Sequence, residues 1–343
     1  PTDLDFSEHF YLEEWRLVVQ EQGISSKLDY LKAKRNGRGT RLNRKERVLV
    51  WAVFEEYLLQ LNHRHLKEMP DAMRDCIHLI DNKSIKPIYA AAIVDEGQDM
   101  GSAAYQLIRK IVAPQTNDIF IVGDGHQRIY RNKVVLGRCG IDIVGRGKKL
   151  RINYRTTEET RALAVSVLEG VAVDDLNGGQ DDNKGYLSLM HGEPPKVLNF
   201  KKFAQEADAI CEQIEQLRDA GIALRDICLV TRSKTLRENY TEALKQAGID
   251  WYEITANGAE KRQVDGIRIA TMHRVKGLEF QYLFVAGVND GIVPLMKHFH
   301  SDDPVEIRQH ELAERALLHV AMTRAMKRLT VSSFGQPSRI LHH

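Results

Sequence analysis

The sequence predicts an α/β protein with parallel sheet, preceded by an all-helical part. Two observations carry this. From Ile88 onward, short apolar runs alternate with helical stretches: Ile88–Val94, Ile119–Val122, Lys196–Asn199, Ile227–Val230, Ile267–Ala270, Tyr282–Ala286 and Leu329–Ser332. Several of these runs lack the polar alternation of a half-exposed strand, which implies cover on both faces and hence parallel pairing. Upstream of Ile88 the texture is different, because aromatic and aliphatic residues recur there at helical spacing.

In the first 87 residues, Phe10, Leu12, Trp15, Val18 and Val19 form one stripe, and Gly23 is a C-terminal stop. A stronger helix follows Asn43, with Val48, Trp51, Phe54, Leu58 and Leu61 on one face and Tyr57 beside them. Pro70-Asp71 starts another helix that ends near Asp81-Asn82. The spacing predicts further helices over Phe203–Ala220, Leu236–Ala247 and Glu311–Ala325. The Gly-, Asp- and Pro-rich stretch Asp174–Pro195 reads as a long loop. The expected organisation is a helical subdomain at 1–87, part of one α/β domain at 88–147 and a second, complete one at 148–343.

Composition bounds the function. No run of about 18 apolar residues exists, so no membrane span is expected. The acidic, mixed start Pro1-Thr2-Asp3-Leu4-Asp5-Phe6 is unlike a signal peptide, and the four cysteines are far apart without metal-ligand spacing. A cytoplasmic setting is the expectation. Net charge is only +2, but it is unevenly distributed. Lys27, Lys32, Lys34, Arg35, Arg38, Arg41, Arg44, Lys45 and Arg47 stand against Asp29 and Glu46, and a second basic stretch runs from Arg128 to Arg155. Such excess either neutralises nucleic-acid phosphates or is a solvated surface.

Five sites carry chemistry. In Ile93-Val94-Asp95-Glu96-Gly97-Gln98-Asp99 an apolar strand ends in two adjacent carboxylates, at the strand end where open α/β sheets bind ligands. One carboxylate suits a nucleotide-bound Mg²⁺ and the other can orient water; a surface turn is the bland alternative. Next, Ile119–Val122 runs into Gly123-Asp124-Gly125-His126-Gln127-Arg128-Ile129-Tyr130, where Gln127 can sense a phosphate and Tyr130 can stack on a base. In the third site, Asn153-Tyr154-Arg155, the arginine stands just before a helix opening at Thr156 or Thr157, with Glu158 and Glu159 in its first turn. It can clamp a phosphate or make an ordinary salt bridge. The fourth, Thr271-Met272-His273-Arg274-Val275-Lys276-Gly277-Leu278-Glu279-Phe280, offers hydroxyl, imidazole and ammonium donors for sugar-phosphate contacts, with Glu279 as a ribose acceptor. In the fifth, Glu314–Ala325, Arg324 follows a helix end and is placed to enter a cleft as an arginine finger.

Taken in order, these sites resemble the motifs of UvrD/Rep-like superfamily 1 DNA helicases: DE-x-QD, GD-x-x-Q-x-IY, NYR, T-x-H-x-x-KGLEF and VA-x-TRA. The resemblance runs from Asp95 to Ala325, and its most specific parts are Thr271–Phe280 and Val320–Ala325. It implies RecA-like P-loop NTPase sheets, one partial and one complete, with ATP and Mg²⁺ as cofactors. It implies Asp95 as Mg²⁺ ligand, Glu96 as the base for water and Gln127 as γ-phosphate sensor. Arg155 and Arg324 become the phosphoryl-neutralising arginines, and Gly277 and Glu279 nucleotide-side contacts. Thr271, His273 and Lys276 become single-strand DNA contacts, with Tyr130 in the base-stacking region. Single-stranded DNA and DNA junctions are the implied partners, with 3′→5′ polarity, and repair or nuclease proteins are associates seen among such relatives.

The sequence departs from the family in three places. No G-x-x-x-x-GK-[ST] loop is present: Gly147-Lys148 is followed by Lys149 and has Asp142 at the first glycine position, and Gly37-Arg38-Gly39-Thr40 lacks the lysine. The expectation is a C-terminal fragment of a longer enzyme, unable to hydrolyse ATP alone. After Tyr130 the chain reads Arg131-Asn132-Lys133 instead of Trp-Arg-Gly. Only a short segment separates Trp251-Tyr252 from Ile267, so the accessory helical subdomain of many relatives is expected to be absent or vestigial. The rival reading from another class is a non-catalytic helicase-like module that binds nucleic acid or protein.

Overall fold

The computed structural model describes residues 6–35, 38–127, 134–171, 173–174, 180–181, 185–255, 261, 263–296, 299 and 303–341. The chain divides into two compact units. One comprises Pro1–Lys148, Val173–Asp181 and Phe299–His310; the other comprises Lys149–Ala172, Asp182–His298 and Glu311–His343. Among the described residues no helix is long and apolar enough to cross a membrane.

The first unit begins with α1 (Glu8–Glu14), capped by Ser7, which accepts from the Phe10 amide at 3.2 Å. It continues as a π-helical turn over Trp15–Gln20. Phe10, Trp15, Val18 and Val19 are buried together in one cluster. Leu12 of the expected stripe is exposed instead. Helix α2 (Lys27–Lys32) is capped by Ser26, and α3 (Arg44–His63) opens with a full capping box between Asn43 and Glu46. Val50, Trp51 and Phe54 bury its inner face against Tyr30, Trp15 and Phe10. Helix α4 (Met69–Asn82) starts one residue before Pro70, which lies in its first turn near the expected start.

Two short parallel strands follow, β1 (Ala92–Val94) and β2 (Ile119–Ile121), with α5 (Ser102–Ile111) between them. Val94, Tyr105, Leu136, Cys139 and Ile141 form the core on one side. The other side is open: Ile93 and Phe120, partners in register, are 81% and 62% exposed. The expectation that such runs are covered on both faces fails here, because no helix among the described residues lies over that face.

In the second unit, β3 (Ile152–Thr157) leads into α6 (Glu158–Ser166), whose cap Thr157 accepts from the Thr160 amide. The two-residue strands β4 (Val173–Asp174) and β5 (Gln180–Asp181), counted with the first unit, pair antiparallel. Then β6 (Leu187–Met190) pairs parallel with β3. The stretch expected to be one long loop therefore holds three short strands. The main sheet is six-stranded and parallel throughout. Its members are β7 (Lys196–Phe200), β8 (Ile227–Thr231), β9 (Trp251–Glu253), β10 (Ile267–Thr271), β11 (Phe280–Val285) and β12 (Ala325–Phe334), in the spatial order β7-β12-β11-β8-β10-β9. Helices α7 (Phe203–Asp219), α8 (Lys234–Gln246) and α9 (Pro304–Met322) complete the order; the residues of α9 up to His310 count with the first unit.

Every residue of β8 is buried, as are the first four of β10, so here the reading of two covered faces holds. Ile210, Ile214, Leu229, Tyr240, Leu244, Ile267 and Ile269 build the core. Arg268, also fully buried, is satisfied by the carbonyls of Lys261, Val264 and Gly266, with its guanidinium 5.2 Å from the Tyr252 ring. Strands β9 and β10 are adjacent and parallel, joined by residues 254–266.

Candidate functional site

In the first unit, the ends of β1 and β2 are tied together. The Val122 amide donates to the Val94 carbonyl at 2.8 Å and the Gly97 amide to the Val122 carbonyl at 2.9 Å. A Cβ on Gly97 would lie 2.7 Å from both Ile121 Cγ2 and the Tyr105 hydroxyl, so only glycine fits this crossing. The tight turn also forces Glu96 into the left-handed region, at φ +52°, a conformation that costs a non-glycine residue about 1–2 kcal/mol. Strain of this kind is tolerated where a side chain must be aimed.

Gln98, buried and absent from the sequence candidates, links the two strand ends. Its Nε2 donates to the Glu96 carboxylate and its Oε1 accepts from the Asp124 amide at 2.9 Å. Asp124 in turn accepts from Gln127 Nε2 at 2.8 Å and from the His126 amide at 2.9 Å. A continuous polar chain Glu96–Gln98–Asp124–Gln127 therefore joins the carboxylate expected to orient water to the glutamine. Gln98 is legible in the sequence as the glutamine of DE-x-QD. Its bridging role is not, because Asp124 lies 26 residues away. Asp95 accepts from the adjacent Glu96 amide at 2.8 Å. Tyr130 and Arg128 lie outside the described residues.

The second unit gathers three of the sequence-identified segments. Arg155 belongs to β3, and the helix expected to open at Thr156 or Thr157 opens at Glu158, with Thr157 as its cap. The Asn153 side chain accepts from the Arg155 and Thr156 amides at 2.8 and 3.3 Å, and the β3–β6 register slips between Asn153 and Thr157. This local turn leaves the Arg155 side chain 48% exposed, with Nε 2.6 Å from the carboxylate of Glu279. Phe280, next to Glu279, donates its amide to the Arg324 carbonyl at 3.0 Å, and Thr156 Oγ1 donates to the Thr323 carbonyl at 3.4 Å. The NYR, KGLEF and TRA segments are thus contiguous. Arg324 differs from expectation in one respect. It is 2% exposed, and its Nε donates to the Val320 carbonyl at 3.0 Å, folding the guanidinium back on the last turn of α9. Tyr154, 69% exposed beside Arg155, is a further candidate that sequence reasoning passed over. Its neighbourhood to the arginine was the available signal.

Thr271 closes β10, and its carbonyl accepts from the Arg274 amide at 2.8 Å, starting the turn that carries His273 and Lys276. Gly277 takes φ +79°, where a side chain would be strained. The His273 imidazole is held below its ordinary pKa, first by loss of hydration and then by the Arg232 guanidinium, with Glu314 opposing. Arg232 and Glu314 form a buried pair at 2.5 and 2.7 Å, and Glu314 also accepts from the Leu295 amide at 3.0 Å. That pair pins α9 to the end of β8. Glu158 is held down at about 2, chiefly by Arg161, with the Ser188 amide helping.

The donor set suits a nucleotide-borne metal more than a protein-only one. Asp95 presents hard carboxylate oxygens at a strand end, and Mg²⁺ bound to phosphates takes only one or two carboxylates. Among the described residues no cluster of three His, Cys, Asp or Glu side chains would hold a metal by itself.

Comparison with known proteins agrees with this layout. Residues 148–256 and 252–336 match the UvrD-like helicase C-terminal domain, and residues 11–134 match the UvrD/REP helicase N-terminal domain. A probable DNA helicase of Mycoplasma pneumoniae is 25% identical over 323 residues, covering 87% of this chain and 55% of the relative. The ATP-dependent DNA helicase UvrD2 of Mycobacterium tuberculosis is 23% identical over 343 residues, covering 71% of this chain and 47% of the relative. UvrD1 of the same organism is 42% identical over 184 residues, covering 48% of this chain and 22% of the relative. The chain spans about half the length of the first two. The C-terminal domain of a possible DNA helicase from Lactobacillus resembles 55% of this chain at a TM-score of 0.39 and 20% identity. The matched domains cover most of the residues from which the site is built, and the chain belongs to the UvrD-like helicase family.

Proposed function

We propose that this chain supplies the DNA-gripping and phosphate-neutralising parts of an ATP-driven DNA translocase or helicase that moves 3′→5′ on single-stranded DNA. The observation that carries the reading is the convergence of Arg155, Glu279 and the Thr323-Arg324 segment in the second unit. An arginine held by one carboxylate and half exposed is ready to exchange that carboxylate for a phosphate.

In this reading Asp95 holds the Mg²⁺ that accompanies ATP, Glu96 orients water and Gln127 reports on the terminal phosphate through Asp124 and Gln98. Tyr154 offers a ring face to the nucleotide base, Glu279 and Gly277 border the sugar, and Arg155 and Arg324 neutralise phosphoryl charge. Mg²⁺ and ATP, when bound, supply the electrophilic phosphoryl group and the cation that screens it. Arg324 has to leave the Val320 carbonyl to do its part. Thr271, His273 and Lys276 face the DNA backbone; at neutral pH the lowered pKa of His273 makes it a neutral hydrogen-bonding group. The chain contains no glycine-lysine phosphate loop, so by itself it binds DNA without turning over ATP.

Fluorescence anisotropy with an oligo-dT strand of about 20 nucleotides tests the track. Thr271→Ala combined with His273→Ala is expected to weaken binding about tenfold or more, roughly 1.4 kcal/mol, with the thermal transition of the second unit unchanged. Equal affinity for the variant and the parent chain would remove these residues from the DNA path.

A further inference from the structure

The basic stretch Lys27–Arg47 has no part in the site built from the five motifs. The structure divides eight of its nine cations into two kinds; the ninth, Lys27, is exposed at the start of α2. Arg35, Arg38 and Arg47 are internal. Arg35 pairs with Glu14 at 2.6 and 2.8 Å. Arg38, fully buried, bridges Glu14 at 3.0 Å and Glu306 at 2.6 Å. Arg47 donates to the carbonyls of Tyr30, Leu31 and Ala33 at 3.0–3.2 Å. In contrast, Lys32, Lys34, Arg41, Arg44 and Lys45 are exposed, and none pairs with a carboxylate among the described residues.

The internal arginines hold the exposed cations in one neighbourhood. The Arg47 hydrogen bonds fix the first turn of α3 against the C-terminal end of α2. Lys32 and Lys34 therefore lie near Arg44 and Lys45, and Arg41 sits on the loop between them. The nearby acids are already engaged. Asp29 accepts from the Ser26 hydroxyl, Glu46 closes the capping box, Asp303 accepts from Thr40, and Glu14 and Glu306 are buried against the arginines.

We propose that Lys32, Lys34, Arg41, Arg44 and Lys45 form a second DNA-binding surface, distinct from the Thr271–Lys276 turn, that grips the phosphate backbone of duplex DNA. Duplex is favoured over single strand because single-strand sites pair cations with exposed aromatic rings on which bases stack. The one aromatic residue between Lys27 and Arg47 is Tyr30, which is fully buried and bonded to Glu14. Leu28 is the stretch's one large exposed apolar side chain, too little for a membrane surface. A stacking-free array of cations on a fixed backbone suits sequence-independent phosphate binding. The choice of nucleic acid as the polyanion rests on the proposed function of the chain.

The test measures anisotropy of a labelled duplex of about 20 base pairs and of an oligo-dT of the same length, with the full chain, across a salt series beginning near 50 mM. The variant K32Q/K34Q/R41Q/R44Q/K45Q is expected to bind duplex at least about tenfold more weakly. Its slope of log affinity against log salt should be shallower by about 0.9 for each phosphate no longer neutralised. Oligo-dT affinity should change less than about twofold. Circular dichroism checks the fold; should the quintuple variant unfold, R44Q/K45Q alone is expected to flatten the slope by about 1.8. Unchanged duplex affinity and slope in a folded variant overturns the proposal. So does an equal loss on oligo-dT, or tighter binding of the parent chain to anionic phospholipid vesicles than to duplex. Duplex binding that depends on these residues in a chain with no affinity for oligo-dT upholds this surface and counts against the single-strand track.

Discussion

The six-stranded sheet of the second unit and the β1–β2 pair of the first contrast in how they are supported. In the six-stranded sheet of the second unit, all of β8 and the first four residues of β10 are buried, with a core of Ile210, Leu229, Leu244, Ile267 and Ile269. The β1–β2 pair of the first unit has one packed face and one face that shows Ile93 and Phe120 to water. The first unit draws its order from elsewhere: an aromatic helical core around Trp51 and Phe54, and the buried charges of Glu14, Arg35, Arg38 and Glu306. Both sheets nevertheless place candidate site residues at or just beyond strand ends, Glu96 in one and Thr271 in the other. Site placement depends on strand ends and turns, whereas stability depends on what covers the strands.

The largest expected effect breaks the ionic support of the first unit. Glu14→Ala removes the carboxylate shared by two buried guanidinium groups, leaving Arg38 with Glu306 and Arg35 with the Thr40 carbonyl, and removal of one partner from a buried pair costs about 3–5 kcal/mol. Thermal denaturation should show the first unit melting far earlier while the second is unmoved. The same carboxylate gives the unit an acid sensitivity. Burial alone would raise the Glu14 pKa, but Arg35, Tyr30 and Arg38 overcome it and hold the value down. A depressed carboxyl pKa stabilises the fold above its unfolded value, near 4.5, and that stability is lost as pH falls through the folded value. The gap between parent and Glu14→Ala should therefore narrow in acid, as a pH series of melting curves will show.

Next in size is a cavity in the covered sheet. Leu229→Ala in β8 should cost about 2–5 kcal/mol by denaturant titration. Ile93→Thr, on the open face of β1, should cost less than about 0.5 kcal/mol and lower the binding of a hydrophobic dye. If Ile93→Thr proves as damaging as Leu229→Ala, the two sheets are not supported differently and the contrast fails.

Much of the molecule is legible in the sequence because it depends on local rules. The seven apolar runs all contain strands, Asn43 and Glu46 make the capping box, and Pro70 lies in the first turn of α4. What escapes a reading of the sequence depends on distance along the chain. The Arg155–Glu279 pair and the Gln98–Asp124 bridge join separate motifs, and no period in the sequence reports them. The internal use of Arg35 and Arg38 is hidden because their partners come from α1 and α9. The open face of β1–β2 is not legible because an apolar run looks the same whether or not a neighbour covers it. The retreat of Arg324 to the Val320 carbonyl is also beyond reach, since VA-x-TRA fixes a helix end and not a rotamer.

DNA binding and phosphate release, followed together, test the proposed function most directly. The chain is mixed with ATP, Mg²⁺ and labelled oligo-dT, and anisotropy and phosphate release are read from the same sample. Bound DNA with no release above background is expected under the proposed function, because the chain carries no glycine-lysine phosphate loop beside Asp95, Glu96 and Arg155. Robust DNA-stimulated release that Glu96→Gln abolishes would contradict it.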